Sequence, residues 1–321
     1  MIQEYFTIGQ EVTLLDGSYD FGLVALSLTI AIFASFMAFN VATQAAVSTN
    51  KFRKYTLLSA GSIAMGGGIW AMHFLGMLAF ELCTAVSYDV GITLASALPG
   101  IASAWVALYL MTKPTITFTE IVTGGVLVGS GIGTMHYSGM AAMEMSPLLR
   151  YSPSLFILSI VVAVCLAMLA LWIKFGLSAV GIKKSSLGRD ALIASIVMGL
   201  AIAGMHYTGM LAARFVMPPG MEFTSQPSEI SIYLALSIAM VTVTLIALVL
   251  GITLLFKYKD VSSRAIESER IQRAITDIAV DAIITVDSTG IIKTANPAVT
   301  AVTGYSPEEL IGQQGKILAP D

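Results

Sequence analysis

Three short stretches hold the only histidines of this 321-residue chain, and they are nearly the same stretch. "GGGIWAMHFLGMLAF" occupies 66–80, "GSGIGTMHYSGMAAM" 129–143 and "GLAIAGMHYTGMLAA" 199–213. In each copy Gly stands seven before the histidine, Ile four before, Met one before, an aromatic residue one after, Gly three after, Met four after and Ala six after. On a helical period the positions −7, −4, 0 and +4 share a face. Gly66, Ile69, His73 and Met77 therefore form one stripe, as do Gly129, Ile132, His136 and Met140, and Gly199, Ile202, His206 and Met210. Continued to +8, the stripes end in Glu81, Glu144 and Arg214, which this extrapolation clusters at the outer surface; charges at helix ends usually just mark the membrane interface, and a salt bridge over the site is the lesser alternative.

Imidazole nitrogen and thioether sulfur together suit copper, above all Cu(I), whereas Ca²⁺ or Mg²⁺ would call for oxygen ligands. The expected metal ligands are His73, His136 and His206, then Met77, Met140 and Met210. Met72, Met135 and Met205 lie about 100° around the helix from their histidines and are set aside. The plainer alternative is packing: methionine fills irregular apolar space, and a single buried histidine commonly meets only a hydroxyl or a carbonyl. Three copies of one spacing, with no other histidine, favour a site. Zinc is the competing metal, since three histidines suffice for it. Cys83 and Cys165 sit on different segments without CxxC spacing, so neither a disulfide nor a thiolate site is expected.

The elements that must position these residues are membrane helices. Hydrophobic residues make up 56% of the chain and charged ones 12%, with a mean hydropathy of +0.83, outside the range of soluble domains. Seven gaps contain no Asp, Glu, Lys or Arg: 21–50, 55–80, 90–112, 121–143, 151–173, 191–213 and 230–256. Each holds the roughly 20 apolar residues that a spanning helix needs. Residues 1–20 contain no Lys or Arg, so a cleaved signal peptide is not expected. Lys51, Arg53, Lys54, Lys113, Lys174, Lys183, Lys184 and Arg189 fall on one set of connections, with Lys257, Lys259 and Arg264 after the last span; the opposite set holds only Arg150 and Arg214. Positive-inside orientation then puts the N-terminus outside and the C-terminus in the cytoplasm.

"SYD" at 18–20 returns at 87–89, so the unit reads as a helix pair used three times plus a seventh helix. The glycines suit close approach of the three motif helices, which would bring their side chains together, because small residues let transmembrane helices pack where water cannot drive association. The fold class expected is an all-α integral membrane bundle of seven spans with pseudo-threefold repeated helix pairs.

The motifs "MHYS" at 135–138, "MHYT" at 205–208 and the variant "MHFL" at 72–75 resemble the signatures of the MHYT family, integral membrane sensor domains of bacteria. The resemblance covers roughly residues 15–258. It implies copper held by Met and His near the outer face and the sensing of a diatomic gas such as oxygen, carbon monoxide or nitric oxide. The first copy departs from it, with Phe74 and Leu75 where the others carry hydroxyls. If those hydroxyls orient the imidazoles, His73 should be held differently.

Beyond the last span, "SSRAIESERIQRAITDIA" (262–279) places Ile271, Ile275 and Ile278 on one helical face, which suits a parallel coiled coil between two protomers. "AIITVD" (282–287), "STG" and "IIKTAN" (291–296) read as a hairpin, followed by a helix opening at Pro297 and a capping box from Ser306 to Glu309. This order, with "ANPAVTAVTGYSPEELIG", resembles the first half of a PAS sensory domain. The expected organisation is an extracytoplasmic N-terminus (1–20), a seven-helix sensor (21–256), a cytoplasmic linker helix (257–280) and a partial α/β PAS segment (281–321), the chain being a piece of a longer protein.

The resulting expectation is a bacterial inner-membrane sensor that is not itself an enzyme. Its partners would be the lipid bilayer, a diatomic gas, a second protomer through the linker, and cyclic di-GMP-making or -degrading domains in cis; no nucleic acid is called for. Two rivals remain. A copper transporter or electron-transfer protein would want ligands through the whole membrane, and a zinc-dependent membrane hydrolase would want a carboxylate base beside the metal.

Overall fold

The computed structural model describes residues 6, 14–82, 84, 86–179, 189–217 and 230–318. Cys83, Lys183 and Lys184 lie outside the described residues. The chain divides into two units, Met1–Thr253 and Leu254–Asp321.

In the first unit the apolar segments form helices long enough to cross a membrane: α1 (Phe21–Ala46), α2 (Lys51–Leu78), α3 (Val90–Met111), α4 (Phe118–Met140), α5 (Pro153–Ala179), α6 (Arg189–Ala212) and α7, which begins at Ile230. Side chains set where they start. Asp20 accepts hydrogen bonds from the N–H groups of Gly22 (2.7 Å) and Leu23 (3.1 Å) at the head of α1. Asp89 accepts from Ile92 N–H (2.7 Å) at the head of α3, and Thr117 and Glu120 form a reciprocal capping box on α4. The two "SYD" stretches are thus helix entries, their aspartates satisfying N–H groups that a helix leaves unpaired.

The motif helices α2, α4 and α6 stand inside, and α1, α3 and α5 wedge between them from outside. The closest approaches to a neighbouring helix's backbone are made by the glycines seven before each histidine. A Cβ on Gly66 would strike the backbone of Ile101 in α3, one on Gly129 the backbone of Val164 in α5, and one on Gly199 the backbone of Ile32 in α1. These glycines therefore dock the inner helices on the outer ones. They do not bring the inner helices onto one another, as the stripe geometry suggested. The ring is closed by α1, which docks on α6 through Gly199 and on α2 through Gly68; α7 stands beside the ring, its Ile246 packed with Ala34 and Met37 of α1.

At the motif end the chain leaves the helices as short strands. With β1 (Leu14–Leu15), β2 (Ser18–Tyr19), β3 (Phe80–Glu81), β4 (Val86–Tyr88), β5 (Met143–Met145), β6 (Leu148–Tyr151) and β7 (Ala213–Val216), each strand entering an outer helix pairs antiparallel with one leaving an inner helix: β2 with β3, β4 with β5 and β6 with β7. β1 adds to the free side of β7.

The second unit contains the end of α7, which runs unbroken to Ile278, and a hairpin of β8 (Ile284–Val286) and β9 (Ile292–Ala295). The hairpin's turn is tied by Asp287, whose carboxylate accepts from Thr289 N–H, Thr289 Oγ1 and Ile291 N–H. These bonds stabilise the ionised form and hold its pKa well below the ordinary carboxylate value. Ile292, Val299 and Leu310 form a small core under the hairpin, α8 (Val299–Thr303) and α9 (Pro307–Leu310). Asn296 ties this unit to its helix, donating to Thr276 O (2.9 Å) and Asp281 O (3.0 Å) and accepting from Ile283 N–H (2.8 Å). Glu309 accepts from Ser306 N–H (2.8 Å), the bond expected of the capping box.

Two alanine substitutions separate docking glycines from ordinary ones. Gly129→Ala presses a methyl into the Val164 backbone and should destabilise the bundle by about 1–3 kcal/mol. Gly251→Ala, where nothing lies within 4 Å, should be neutral or stabilise by up to about 1 kcal/mol through helix propensity. Thermal unfolding of the purified variants reads both; equal midpoints would remove the docking role.

Candidate metal centre

His73, His136 and His206 meet at the axis of the inner triangle, each fully buried. Their Nδ1 atoms form a triangle with sides of 3.0 Å (His73–His136), 3.1 Å (His73–His206) and 3.3 Å (His136–His206). The rings are set like propeller blades, at 80°, 80° and 85° to one another.

Protons cannot satisfy such a triangle. A neutral Nδ1 either carries hydrogen or offers a lone pair, never both. Three mutually facing nitrogens therefore share at most two good hydrogen bonds, and any deprotonated pair turns lone pair on lone pair in a site without water's dielectric. A cation at the centre satisfies all three. A triangle of these sides has its centre about 1.8 Å from each corner (side over √3), and a metal–imidazole bond is about 2.0–2.1 Å. The three nitrogens are thus spaced to hold one ion at close to a metal–imidazole bond length.

What holds each ring is the glycine three after the histidine of the next copy. A Cβ on Gly139 would strike Nε2 of His73, one on Gly209 Nε2 of His136, and one on Gly76 Nε2 of His206. Each imidazole thus lies across its neighbour helix in a cyclic order, α2 on α4, α4 on α6 and α6 on α2. None of the three Nε2 atoms has a hydrogen-bond partner. The repeat's +3 glycine was visible in the sequence, but its role as the seat of a neighbour's histidine needed the packing.

Met77, Met140 and Met210 are buried together in the apolar cluster just beyond the histidines, with Phe74, Tyr151 and Phe215. Met72, Met135 and Met205 are buried as well, Met135 beside Gly100 and Met205 beside Gly133, consistent with packing roles. The hydroxyls expected to orient the imidazoles do not. Tyr137 bonds Ser159 of α5 (2.7 Å) and Tyr207 bonds Ser27 of α1 (3.1 Å), while Ser138 and Thr208 turn back to carbonyls of their own helices. Adjacent imidazole and aromatic rings stand 4.8–4.9 Å apart in all three copies, whether the aromatic is Phe74, Tyr137 or Tyr207. His73 is therefore seated like the others, and Phe74 and Leu75 cost it nothing in orientation.

Glu81, Glu144 and Arg214 do not cluster. By +8 the chain has left the helix, so the 100° step no longer applies, and the three residues lie opposite Ser18, Ser87 and Arg150 on three separate strand pairs. Among the described residues no ion pair joins them.

Three further sets went unread in the sequence. The N–H groups of Asp20, Asp89 and Ser152 donate to the carbonyls of Ala79, Ala142 and Ala212 (2.8, 2.9 and 2.8 Å), so the backbone at the repeat's +6 position is a splice between outer and inner helices. One residue earlier, Tyr19, Tyr88 and Tyr151 lay their rings on Tyr207, Phe74 and Tyr137, at 5.8, 5.7 and 5.3 Å. Seven later come the buried Ser27, Ser96 and Ser159. Tyr151–Ser152 is thus the third copy of "SYD", disguised by Arg150 and Ser152. Trp70 donates to Thr93 O (2.9 Å) across α2 and α3, whereas Trp105 and Trp172 face outward.

This architecture and this cluster define a membrane-embedded seven-helix sensor domain built on a threefold repeat. The family model described as "Bacterial signalling protein N terminal repeat" (MHYT) matches residues 9–53, 66–124, 129–187 and 199–266, and a PAS fold matches 269–320. The chain belongs to the MHYT family. It is 40% identical over 242 residues to a bifunctional diguanylate cyclase/cyclic di-GMP phosphodiesterase, MucR, of Pseudomonas aeruginosa, a match covering 75% of this chain and 35% of that one. It is 33% identical over 312 residues to the signaling protein YkoW of Bacillus subtilis (93% and 36%), and 35% identical over 217 residues to the cyclic di-GMP phosphodiesterase NbdA of P. aeruginosa (68% and 27%). The chain thus spans about a third of the length of these relatives. No solved structure matches it.

Phe74→Tyr offers a test of the threefold reading. The new hydroxyl should reach the buried Ser96, the counterpart of Ser27 and Ser159, and stabilise the bundle by about 1 kcal/mol, measured as a raised unfolding midpoint. A lowered midpoint would show that the first copy is not equivalent.

Proposed function

We propose that His73, His136 and His206 hold a copper ion through Nδ1, with Met77, Met140 and Met210 as the thioether ligands nearest in the fold. The observation that carries this reading is the 3.0–3.3 Å nitrogen triangle, whose three nitrogens a shared cation would satisfy together. Nitrogen with thioether sulfur in an apolar, fully buried setting suits Cu(I). Bound there, copper would supply a centre that changes oxidation state or takes a diatomic ligand. The chain's own part is to hold three imidazoles on three helices, so that a change in the triangle alters the seats on Gly76, Gly139 and Gly209 and the docking of α1, α3 and α5. A signal needs two states with different affinity for the ligand, and this shared centre couples three interfaces at once.

The output would be cytoplasmic. The relatives' names, diguanylate cyclase and cyclic di-GMP phosphodiesterase, support a cyclic di-GMP-making or -degrading region beyond the PAS fold of the whole protein. Lys and Arg on the connections opposite the motif end support placement in the inner membrane with the N-terminus outside. The exposed Ile271, Ile275 and Ile278 of α7 support pairing of two protomers along the linker. The zinc hydrolase reading is weaker, because the only such cluster among the described residues is all histidine and offers no carboxylate base. The transporter reading is weaker because the histidines sit at one level.

Metal analysis of the purified chain tests the proposal. Copper near one per chain is expected in the parent and none in a His73→Ala/His136→Ala/His206→Ala variant. Gly139→Ala, which should fold but displace the His73 ring, should weaken binding about 10–100-fold. Zinc alone in the parent would reverse the choice of metal; no metal in either would end it.

A further inference from the structure

The three strand pairs at the motif end occupy equivalent places, and one of them is reversed in charge. In the first pair the positions are Ser18 opposite Glu81, with Asp20 next; in the second, Ser87 opposite Glu144, with Asp89 next. In the third, Arg150 faces Arg214, with Ser152 next. Two carboxylates at each of the first two places give way to two guanidiniums at the third.

Like charges directly opposite on antiparallel strands destabilise a sheet, and their Cβ atoms stand only about 5 Å apart. Among the described residues no carboxylate relieves them. Arg150 donates from Nη1 to Leu149 O (3.2 Å), and Arg214 from Nη1 to Leu211 O (2.7 Å) and Ala213 O (3.0 Å). Both side chains are half-buried, and neither is ion-paired among the described residues; Asp16, just past β1, pairs with neither. A guanidinium carries five N–H donors in a planar fork, so the bonds made among the described residues use only a minority of the donors on this pair. The alternate residues Tyr151, Leu149, Ala213 and Phe215 face the apolar cluster over the site, which turns Arg150 and Arg214 to the other side of the sheet.

We propose that Arg150 and Arg214 together clamp one phosphate oxyanion, carried by the headgroup of an anionic lipid. Phosphate matches the bidentate geometry of arginine, and one dianion or phosphodiester between the two forks removes their repulsion. The lipid source follows from place and surroundings. β7 begins at the residue after the last turn of α6, at the depth where an apolar span meets headgroups. Leu148, two residues before Arg150 on the same face, is about half exposed, as is Leu14 opposite Val216 on the adjoining strand. Apolar surface beside a doubly basic pair fits an acyl chain below a phosphate better than a free ion. The lipid would then brace the third repeat, where the strands β1, β7 and β6 join the entries of α1 and α5.

Native mass spectrometry of the whole chain, exchanged from phosphatidylglycerol-containing micelles, tests this. One phosphatidylglycerol should stay bound to the parent and to a Glu81→Gln/Glu144→Gln control. Arg150→Gln/Arg214→Gln should retain it at least about tenfold less well, as expected for loss of charge-assisted bonds, with Arg150→Lys/Arg214→Lys in between. A parallel arm adds inorganic phosphate in neutral detergent and reads the unfolding midpoint. A rise in the parent alone, with no lipid retained, would keep the oxyanion site but overturn the lipid. Equal lipid retention by parent and glutamine variant, with unchanged midpoints in phosphate, would overturn the site altogether; circular dichroism confirms that the variants are folded.

Discussion

Three imidazoles, buried to their last atom, are aimed at one another through the same ring nitrogen. That arrangement is costly for any set of protons and favourable for one shared cation. The rest of the bundle can be read as what is needed to bring the three together and keep them there. Each ring needs a helix without a side chain beside it, and the repeat supplies glycine at +3. Each inner helix needs an outer one pressed close enough to brace it, and the repeat supplies glycine at −7.

The bracing is cyclic. Each outer helix is spliced to one inner helix by an N–H to the +6 carbonyl and leans a tyrosine on another inner helix. α1 links α2 and α6, α3 links α4 and α2, and α5 links α6 and α4. No inner helix can shift alone without disturbing two outer ones. Such coupling of a central triangle to its whole rim gives a change at the histidines a mechanical route outward, since close-packed interfaces shift between discrete arrangements more readily than they deform.

Much of this was legible in the residues. The seven charge-free gaps locate the helices, because lipid tolerates neither unpaired backbone nor unpaired charge. The histidine spacing picked out the cluster, because three equal motifs on parallel inner helices can only present equal faces. The hairpin and the capping box after α7 followed from local chemistry and stand where turn residues and Ser306–Glu309 put them. The failures share one cause. The −7 glycines were assigned to the inner triangle, the hydroxyls of Tyr137 and Tyr207 to the imidazoles, and Glu81, Glu144 and Arg214 to a common cluster. Each assignment extended one helix's periodicity to a neighbour whose position periodicity does not contain.

Residues alone were enough to establish that this chain crosses a membrane seven times, that it repeats a motif three times, and that histidine and methionine are the chemistry it keeps inside. Those properties are local, written in hydropathy, spacing and side-chain type. It took the folded packing to establish that Nδ1 is the nitrogen that converges, that each ring rests on the next helix's glycine, that α1 and not α7 closes the ring, and that Arg150 is set opposite Arg214. Those are relations between segments far apart in the chain, and they exist only once packing has chosen which surfaces touch.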